Sequence, residues 1–501
     1  MVNLPGENRS FWRQSAQGVS YTKLAEDLNV DVAVIGGGMS GILTAYLLAK
    51  EGKSVALLEA REMVSGSTGG TTAKLSSQHQ LIYDEMLQRD GHKIAKAYYE
   101  ANESGRQLVQ SLVKEHGIDC GFETMPAYVY TQNGSNTQRL KKEADAYDAI
   151  GIDGVLTADI PLDLQVETAL VMNDQAQFQP VKFLHGMLRE IESLGGKVFQ
   201  HTMYLGTERN ESGLLLTTDT PFTVTCQQVI LATLFPAEDP NSYFSNTMKP
   251  MTSHLTAFES PKVFDSGMYI SDDTPKRTFR GAEGEGCHVV IIGGETHPTG
   301  DGKSTEEHYE AIQAFAKQEF GLTKMLGYWS EHDLVTPDRR PHIGSIEKDD
   351  DQMFVMTGYS KWGLAIAATG AQLITDLLTG KENRFKELFN PQRDMPNAKD
   401  EEESGDADEG KTNILQDSAL LKKEEARRFE ADGKPAGMYK DANGSIHYLD
   451  LACTHLGCEV KWNDADKTWD CPCHGSIFDG NGNVKAGPAK KPLKTIDPFT
   501  E

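Results

Sequence analysis

The chain has no apolar run near the ~20 residues that a helix needs to cross a bilayer. Its first residues, MVNLPGENRS, hold no basic region followed by an apolar stretch, so a secretory signal is not expected there. Positive charge is also short: 49 Lys plus Arg stand against 74 Asp plus Glu, a formal net charge of −25. Nucleic acids and anionic membranes both require clustered positive charge, so neither is expected as the main partner. Cysteine is sparse until the end. Cys120, Cys226 and Cys287 are scattered, whereas Cys453, Cys458, Cys471 and Cys473 crowd together. In an intracellular protein that crowding points to a metal centre before a disulfide framework. The rest is ordinary for a globular chain: 501 residues, 38% hydrophobic and 25% charged, with room for several domains. The expectation is a soluble, acidic, cytoplasmic protein. Peripheral contact with the inner face of the membrane is compatible with this, although the net charge argues against an electrostatic anchor.

Residues 391–411 are the clearest boundary. Asp400–Glu409 is dominated by acidic residues and has no aliphatic run to bury, so the segment reads as a self-repelling linker. A solvated acidic loop on one continuous domain is the plainer alternative. Ahead of it, DVAVIGGG (31–38) reads as a buried strand ending in glycines, MSGILTAYLLAKEG (39–52) as a helix, and SVALLEA (54–60) as a second strand. Strand, glycine turn, helix and strand make a βαβ unit and imply a parallel sheet with helices on both faces. QQVILAT (227–233), HVVIIGG (288–294) and MFVMTGY (353–359) look like further ligand-facing strands. We assign nucleotide-binding parts to about 28–90, 226–240, 286–300 and 330–385. An inserted antiparallel α+β substrate subdomain is expected at about 91–225 and 241–285.

Gly36, Gly38 and Gly41 form G-x-G-x-x-G between that strand and helix. Gly36 permits the tight turn, Gly38 lets the backbone approach a pyrophosphate, and Gly41 lets the helix pack on the strand. The helix start, with Ser40 in its first turn, offers free N–H groups and a positive dipole end. Glu59, ending the next strand, is placed to accept from a ribose 2′-OH. Arg61 follows, then the stretch SGSTGGTTAKL (65–75), with Gly66, Ser67, Thr68, Gly69, Thr71 and Thr72. Small residues suit a backbone lying along a pyrophosphate and a flavin edge. A flexible surface turn would read the same way.

These motifs, with VIIGGETH (290–297), TPDRRPHIG (336–344) and TGYSKWGLA (357–365), run in the order seen in the D-amino-acid-oxidase-like (glycine/sarcosine oxidase-like) flavoproteins. The resemblance covers about 28–385, within an oxidoreductase domain at 1–390. It implies FAD in a Rossmann-type α/β domain, with the flavin ring facing the substrate subdomain. Ala232, at the small-residue end of QQVILAT, is counted among the cofactor contacts, and the resemblance puts Gly358, Trp362 and Gly363 near the flavin pyrimidine, before a helix starting at Leu364. Members with covalent flavin carry His after the Gly-Ser-Thr stretch or Cys before Thr-Pro-Asp. Here those places read GGTTA and SEHDLV, so noncovalent FAD is expected. Many amino-acid-oxidising members have a carboxylate-binding Arg ahead of Thr-Pro-Asp. WSEHDLVTPD has none, although Arg339 and Arg340 follow and Arg277 and Arg280 are alternatives. His79, His254, His297 and His332 fall in or beside these motifs, and His297 and His332 are taken as the catalytic candidates.

Near the C-terminus, CTHLGC (453–458) is followed by CPCHGS (471–476). Two thiolates and two imidazoles on two loops suit tetrahedral zinc or a [2Fe–2S] cluster with one iron on Cys₂ and the other on His₂. The short C-x-H spacing and the two extra cysteines weigh against zinc. Both segments resemble the Rieske iron–sulfur family, over about 412–501. That resemblance implies a small all-β domain in which Cys453 and Cys471 hold one iron and His455 and His474 the other. It also implies a Cys458–Cys473 disulfide and a hydrogen bond from Ser476 to a bridging sulfide. Phe478 stands where a tyrosine often donates to sulfur. One donor fewer lowers the potential, so a middle value within about −150 to +300 mV is expected.

A flavin takes two electrons from an organic donor and a Rieske cluster carries one at a time. The leading expectation is a dehydrogenase of a small amine, N-methyl compound or similar hydride donor. Its electrons would pass through its own cluster to a quinone, cytochrome or other redox protein. Two alternatives are retained: an external donor feeding the cluster for a reductase or monooxygenase reaction, and a redox sensor or electron-transfer module without turnover.

Overall fold

The computed structural model describes residues 6–211, 213–300, 304–396 and 420–498. The acidic run at 400–409 that suggested a linker lies outside them. Ahead of it, Arg393 is anchored: its guanidinium donates to the Asp338 carboxylate at 2.7 and 2.9 Å. Firm structure thus continues a few residues past 390.

Val32–Ile35, with every residue buried, is the core of a six-stranded sheet. Its order is His342–Ser345, Met353–Thr357, Gln228–Leu231, Val32–Ile35, Val55–Leu58 and Lys197–Phe199. All pairings are parallel except at the His342–Ser345 edge. The helices Met39–Lys50 and Gly363–Leu378 pack together and are buried almost all round, as expected for segments enclosed in a doubly wound α/β layer. A small sheet of Tyr204–Asn210, Gly213–Thr218, Thr223–Cys226 and Leu28–Asn29 sits on this half. Residues 197–226 therefore belong with the nucleotide half and not with the substrate subdomain.

The second half is a ten-stranded, mostly antiparallel sheet. Lys249–Ser260 pairs on one side with Met325–Val335 and on the other with His288–Pro298. Arg277–Glu283, Met268–Ser271, Glu123–Thr131 and Thr168–Gln177 continue it. The stretches 288–298 and 330–335, expected among the nucleotide-binding parts, thus belong to this sheet and not to the six-stranded parallel one. A short apolar run reads alike in a parallel strand and in a central antiparallel strand covered on both faces.

The C-terminal part is all β. Glu425–Ala431, Lys434–Lys440 and Ile446–Asp450 form one antiparallel sheet. Lys461–Asn463, Thr468–Asp470, Ile477–Asp479 and Val484–Ala486 form the other. Trp469, Phe478, Leu449 and Leu451 fill the core between them. Among the described residues no helix is long and apolar enough to cross a membrane.

Candidate functional site

A cavity of about 550 Å³ opens at the end of the Val32–Ile35 strand. Gly36, Gly38, Ser40, Glu59, Arg61, Gly66, Ser67, Thr68 and Ala232 all lie on its wall. Gly36 has φ +117°, and a Cβ there would meet the Ala232 carbonyl oxygen at 2.6 Å. A Cβ on Gly41 would stand 1.9 Å from the Gly36 carbonyl oxygen, so the helix approaches the turn as closely as the motif requires. The helix Met39–Lys50 starts at Gly38 with no side-chain cap of its own, although Thr68 Oγ1 accepts from the Met39 N–H at 3.1 Å. The Glu59 carboxylate accepts from the N–H of Gly37 at 2.7 Å and of Arg61 at 2.9 Å. An acid beside uncapped helix N–H groups fits the ribose and pyrophosphate of a dinucleotide.

Gly69, Thr71, Thr72, Gly358, Trp362, Gly363 and Leu364 do not line this cavity. The Trp12 indole N–H donates to the Thr71 carbonyl at 2.6 Å, fixing the Gly-Ser-Thr stretch from behind. Trp362 precedes the helix Gly363–Leu378 and stacks on His79, with ring centroids 4.6 Å apart. His79 is bonded to Tyr98 and to the Ser76 carbonyl, and burial lowers its pKa to about 3, so it stays neutral. Between the two groups, the Tyr359 and Ser40 hydroxyls lie 2.7 Å apart.

The acid–base groups here were not evident from sequence. Glu331 lies on the cavity wall, packed so closely on Gly70 that a Cβ there would overlap its carboxylate. Burial raises its pKa to about 7. Nearby, burial raises Asp333 to about 6 and lowers Lys361 to about 8. The Lys361 ammonium donates to Ser253 Oγ at 3.1 Å.

Of the two catalytic candidates, His332 lines the cavity and His297 does not. Thr296 meets Ser253 at 2.9 Å, and the pleat then turns His297 to the opposite face of the sheet, beside His254 and His308. The arginines offered for a carboxylate are all engaged. Arg277 pairs with Glu295. Arg280 donates to the carbonyls of Ala73 and Gly281. Arg340 binds the buried Asp338, while Arg339 points toward Glu85 at 3.7 Å.

The C-terminal cysteines and histidines converge as the ligand pattern requires. The His455 and His474 rings lie 4.9 Å apart, and each presents a buried Nδ1 that has no protein partner among the described residues. Cys453 is lowered to about 6 by the Cys471 thiol and by the N–H groups of His455 and Leu456, whereas sharing that proton raises Cys471. Two buried sulfurs close enough to share one proton and two orphaned imidazole nitrogens fit a cluster with Cys₂ and His₂ irons. Cys458 and Cys473 form a disulfide that ties the two loops together. Ser476 is fully buried and faces Cys453, and its Oγ accepts from the Ala489 N–H at 3.2 Å.

Nothing in the sequence marked where this centre faces. It faces inward. Phe235, on the nucleotide cavity wall, sets its ring edge-on to His455 and His474 at 5.7 and 5.8 Å. Asp466, Thr468, Ile477 and Val484–Gly487 line the same cavity from the C-terminal side. The contact is fastened by polar groups. Asp464 accepts from Ser304 and from the Thr305 N–H at 2.7 and 2.9 Å, and Ser330 donates to Asp466. Lys490 donates to the Leu205 carbonyl at 2.7 Å. His332 Nε2 stands 3.8 Å from the carboxylate of Asp470, the residue before Cys471. Burial alone would lower the His332 pKa. Asp470 first, then Glu331 and Asp466, more than offset this and raise it, so the acidic groups favour the charged imidazole at the domain contact.

Residues 31–377 match the FAD dependent oxidoreductase family and residues 411–497 the Rieske [2Fe-2S] domain. YhfW of Bacillus subtilis (strain 168), named as a Rieske 2Fe-2S iron-sulfur protein, is 37% identical over 498 residues, covering 97% of each chain. The gamma-glutamylputrescine oxidoreductase of Escherichia coli (strain K12) is 21% identical over 402 residues, or 76% of this chain and 91% of its own. The crystal structure of glycine oxidase from Geobacillus kaustophilus superposes with a TM-score of 0.64 at 18% identity, covering 74% of this chain and all of its own (100%).

Proposed function

Because the chain belongs to the FAD dependent oxidoreductase family and carries a Rieske [2Fe-2S] domain, we propose that it is a dehydrogenase. It would oxidise a small amine, N-methyl compound or similar hydride donor and deliver electrons singly, through its own cluster, to an external redox partner. FAD supplies two-electron acceptance and the cluster one-electron carriage. The observation that carries the reading is the inward-facing centre: both cluster histidines abut Phe235, a residue of the nucleotide cavity. A centre serving only an outside partner would gain nothing from that contact.

The chain's own residues support the rest. The Asp464, Asp466, Asp470 and Lys490 contacts hold the C-terminal domain over the cavity and reduce its exposure to water. Glu331, with a pKa near 7, can hold or release one proton at neutral pH beside the Gly-Ser-Thr stretch. Engagement of Arg277, Arg280 and Arg340 leaves no free guanidinium clamp among them, which favours an amine donor over a simple α-amino acid. Lys361, bonded to the neutral Ser253 hydroxyl, is a cation that an acidic group on such a donor could use.

The test is anaerobic mixing of the full chain with a panel of primary amines, N-methyl amines and amino acids, followed by flavin absorbance and cluster electron paramagnetic resonance. Flavin bleaching by an amine, with the cluster signal rising after it, supports the proposal. Bleaching by no donor, together with fast electron exchange with added redox proteins, would sink it.

A further inference from the structure

Beside the cavity-lining His332, the face of the large sheet that bears Thr252 and His254 carries a histidine cluster that the proposed chemistry does not use. His254 comes from Lys249–Ser260, His297 from the paired strand His288–Pro298, and His308 from the helix Thr305–Phe320 packed on both. A register shift next to His254 places His297 opposite Thr252, on the same face as His254. We propose that His254, His297 and His308 form a three-imidazole site for a divalent transition-metal ion, with zinc the expected occupant.

Two of the three rings already have their outer hydrogen bonds in place, whereas His254 Nδ1 is buried with no hydrogen-bond partner among the described residues. One nitrogen from each ring lies within 4.8 Å of the other two, and His254 Nε2 is 3.0 Å from His297 Nε2. Tetrahedral zinc at about 2.0–2.1 Å from each nitrogen sets ligand atoms about 3.3 Å apart, a spacing the His254–His297 pair already approaches and to which the 4.8 Å limit of the trio would close on binding. His297 Nδ1 donates to the Pro298 carbonyl at 2.7 Å, and His308 Nδ1 faces the Glu295 carboxylate at 3.1 Å. Metal-bound histidines characteristically anchor the far nitrogen in this way, on a carbonyl or a carboxylate. It leaves His308 Nε2 turned to the trio, buried and with no protein partner among the described residues. Glu295 is itself held by Arg277.

Donor chemistry points the same way. The set holds no thiolate, and its one carboxylate sits behind a ring. Imidazole donors of this kind suit zinc and its neighbours in preference to magnesium or calcium. The rings now stack within 10 to 18° of parallel. Binding would turn them until their in-plane lone pairs meet at one point.

The experiment uses the full chain with FAD and two irons per chain, washed with a chelator and titrated with Zn²⁺ against a chromophoric zinc indicator. One Zn²⁺ per chain is expected, with a dissociation constant below about 1 μM at neutral pH. His308→Gln and the half-exposed His297→Gln should each weaken binding about 100-fold or more, and Glu295→Gln about 10- to 100-fold, with iron and FAD contents unchanged. Should His308→Gln fail to fold, the His297→Gln result decides. Absence of saturable binding, equal affinity in the His297 variant, or zinc uptake that tracks loss of iron would each overturn the assignment.

Discussion

Replacing Phe235 by leucine should uncouple the two halves of the molecule without emptying either cofactor site. Phe235 is only 4% exposed, packed in the core of its own half and against both cluster histidines. Alanine would open a core cavity costing about 3–5 kcal/mol, whereas leucine keeps most of the volume and removes only the aromatic edges. Each edge-on ring contact is worth about 0.5–1.5 kcal/mol beyond its area. Two of them amount to about 1–3 kcal/mol of docking energy, or roughly a 5- to 150-fold weaker closed arrangement. The assay is stopped-flow reduction of the flavin with the cluster followed by its own absorbance and by freeze-quench paramagnetic resonance. Flavin reduction should keep its rate and the cluster should keep its midpoint potential, while cluster reduction slows by about that factor. An unchanged cluster rate in a well-folded variant would refute the view that this contact positions the centre.

Three other perturbations separate the parts of the account. Gly41→Ala places a Cβ 1.9 Å from the Gly36 carbonyl, so flavin absorbance should be lost while two irons per chain are retained. Cys471→Ser should do the reverse, removing iron and the Rieske spectrum with FAD still bound in equal stoichiometry. Glu331→Gln should alter stability as a function of pH. The folded carboxyl titrates near 7 against 4.5 when unfolded, so between those values the folded state holds the extra proton and wild-type stability falls as pH rises. The variant should match wild type at pH 5 and exceed it by about 1–3 kcal/mol at pH 8 in denaturant titrations. A difference independent of pH would contradict the buried-acid assignment.

The two chemistries were legible because each is written in local sequence. A pyrophosphate turn needs glycines at fixed spacing, and Gly36, Gly38 and Glu59 line one cavity as their spacing suggested. The ligands of the metal centre sit on two short loops, and Cys453, His455, Cys471 and His474 converge. Long-range partnership was not legible. The apolar run at 288–294 gave no sign of which sheet would take it, since period-2 and continuous patterns look alike when both faces are covered. Nor did the sequence show that His297 would stand beside His254 and His308, one residue of pleat from Thr296, which meets Ser253. Phe235, Asp470 and Glu331 carry no motif. Their roles come from burial and from contacts more than a hundred residues away in the chain, such as the meeting of Phe235 with His455.

The direction of electron flow is the central claim, and an anaerobic reductive titration of the purified full chain tests it most directly. Reductant is added stepwise while flavin absorbance and the cluster's paramagnetic signal are recorded on the same samples. The account predicts that the cluster signal appears before the flavin bleaches, placing the cluster above the flavin in potential so that current runs outward. Bleaching of the flavin ahead of any cluster signal would contradict it.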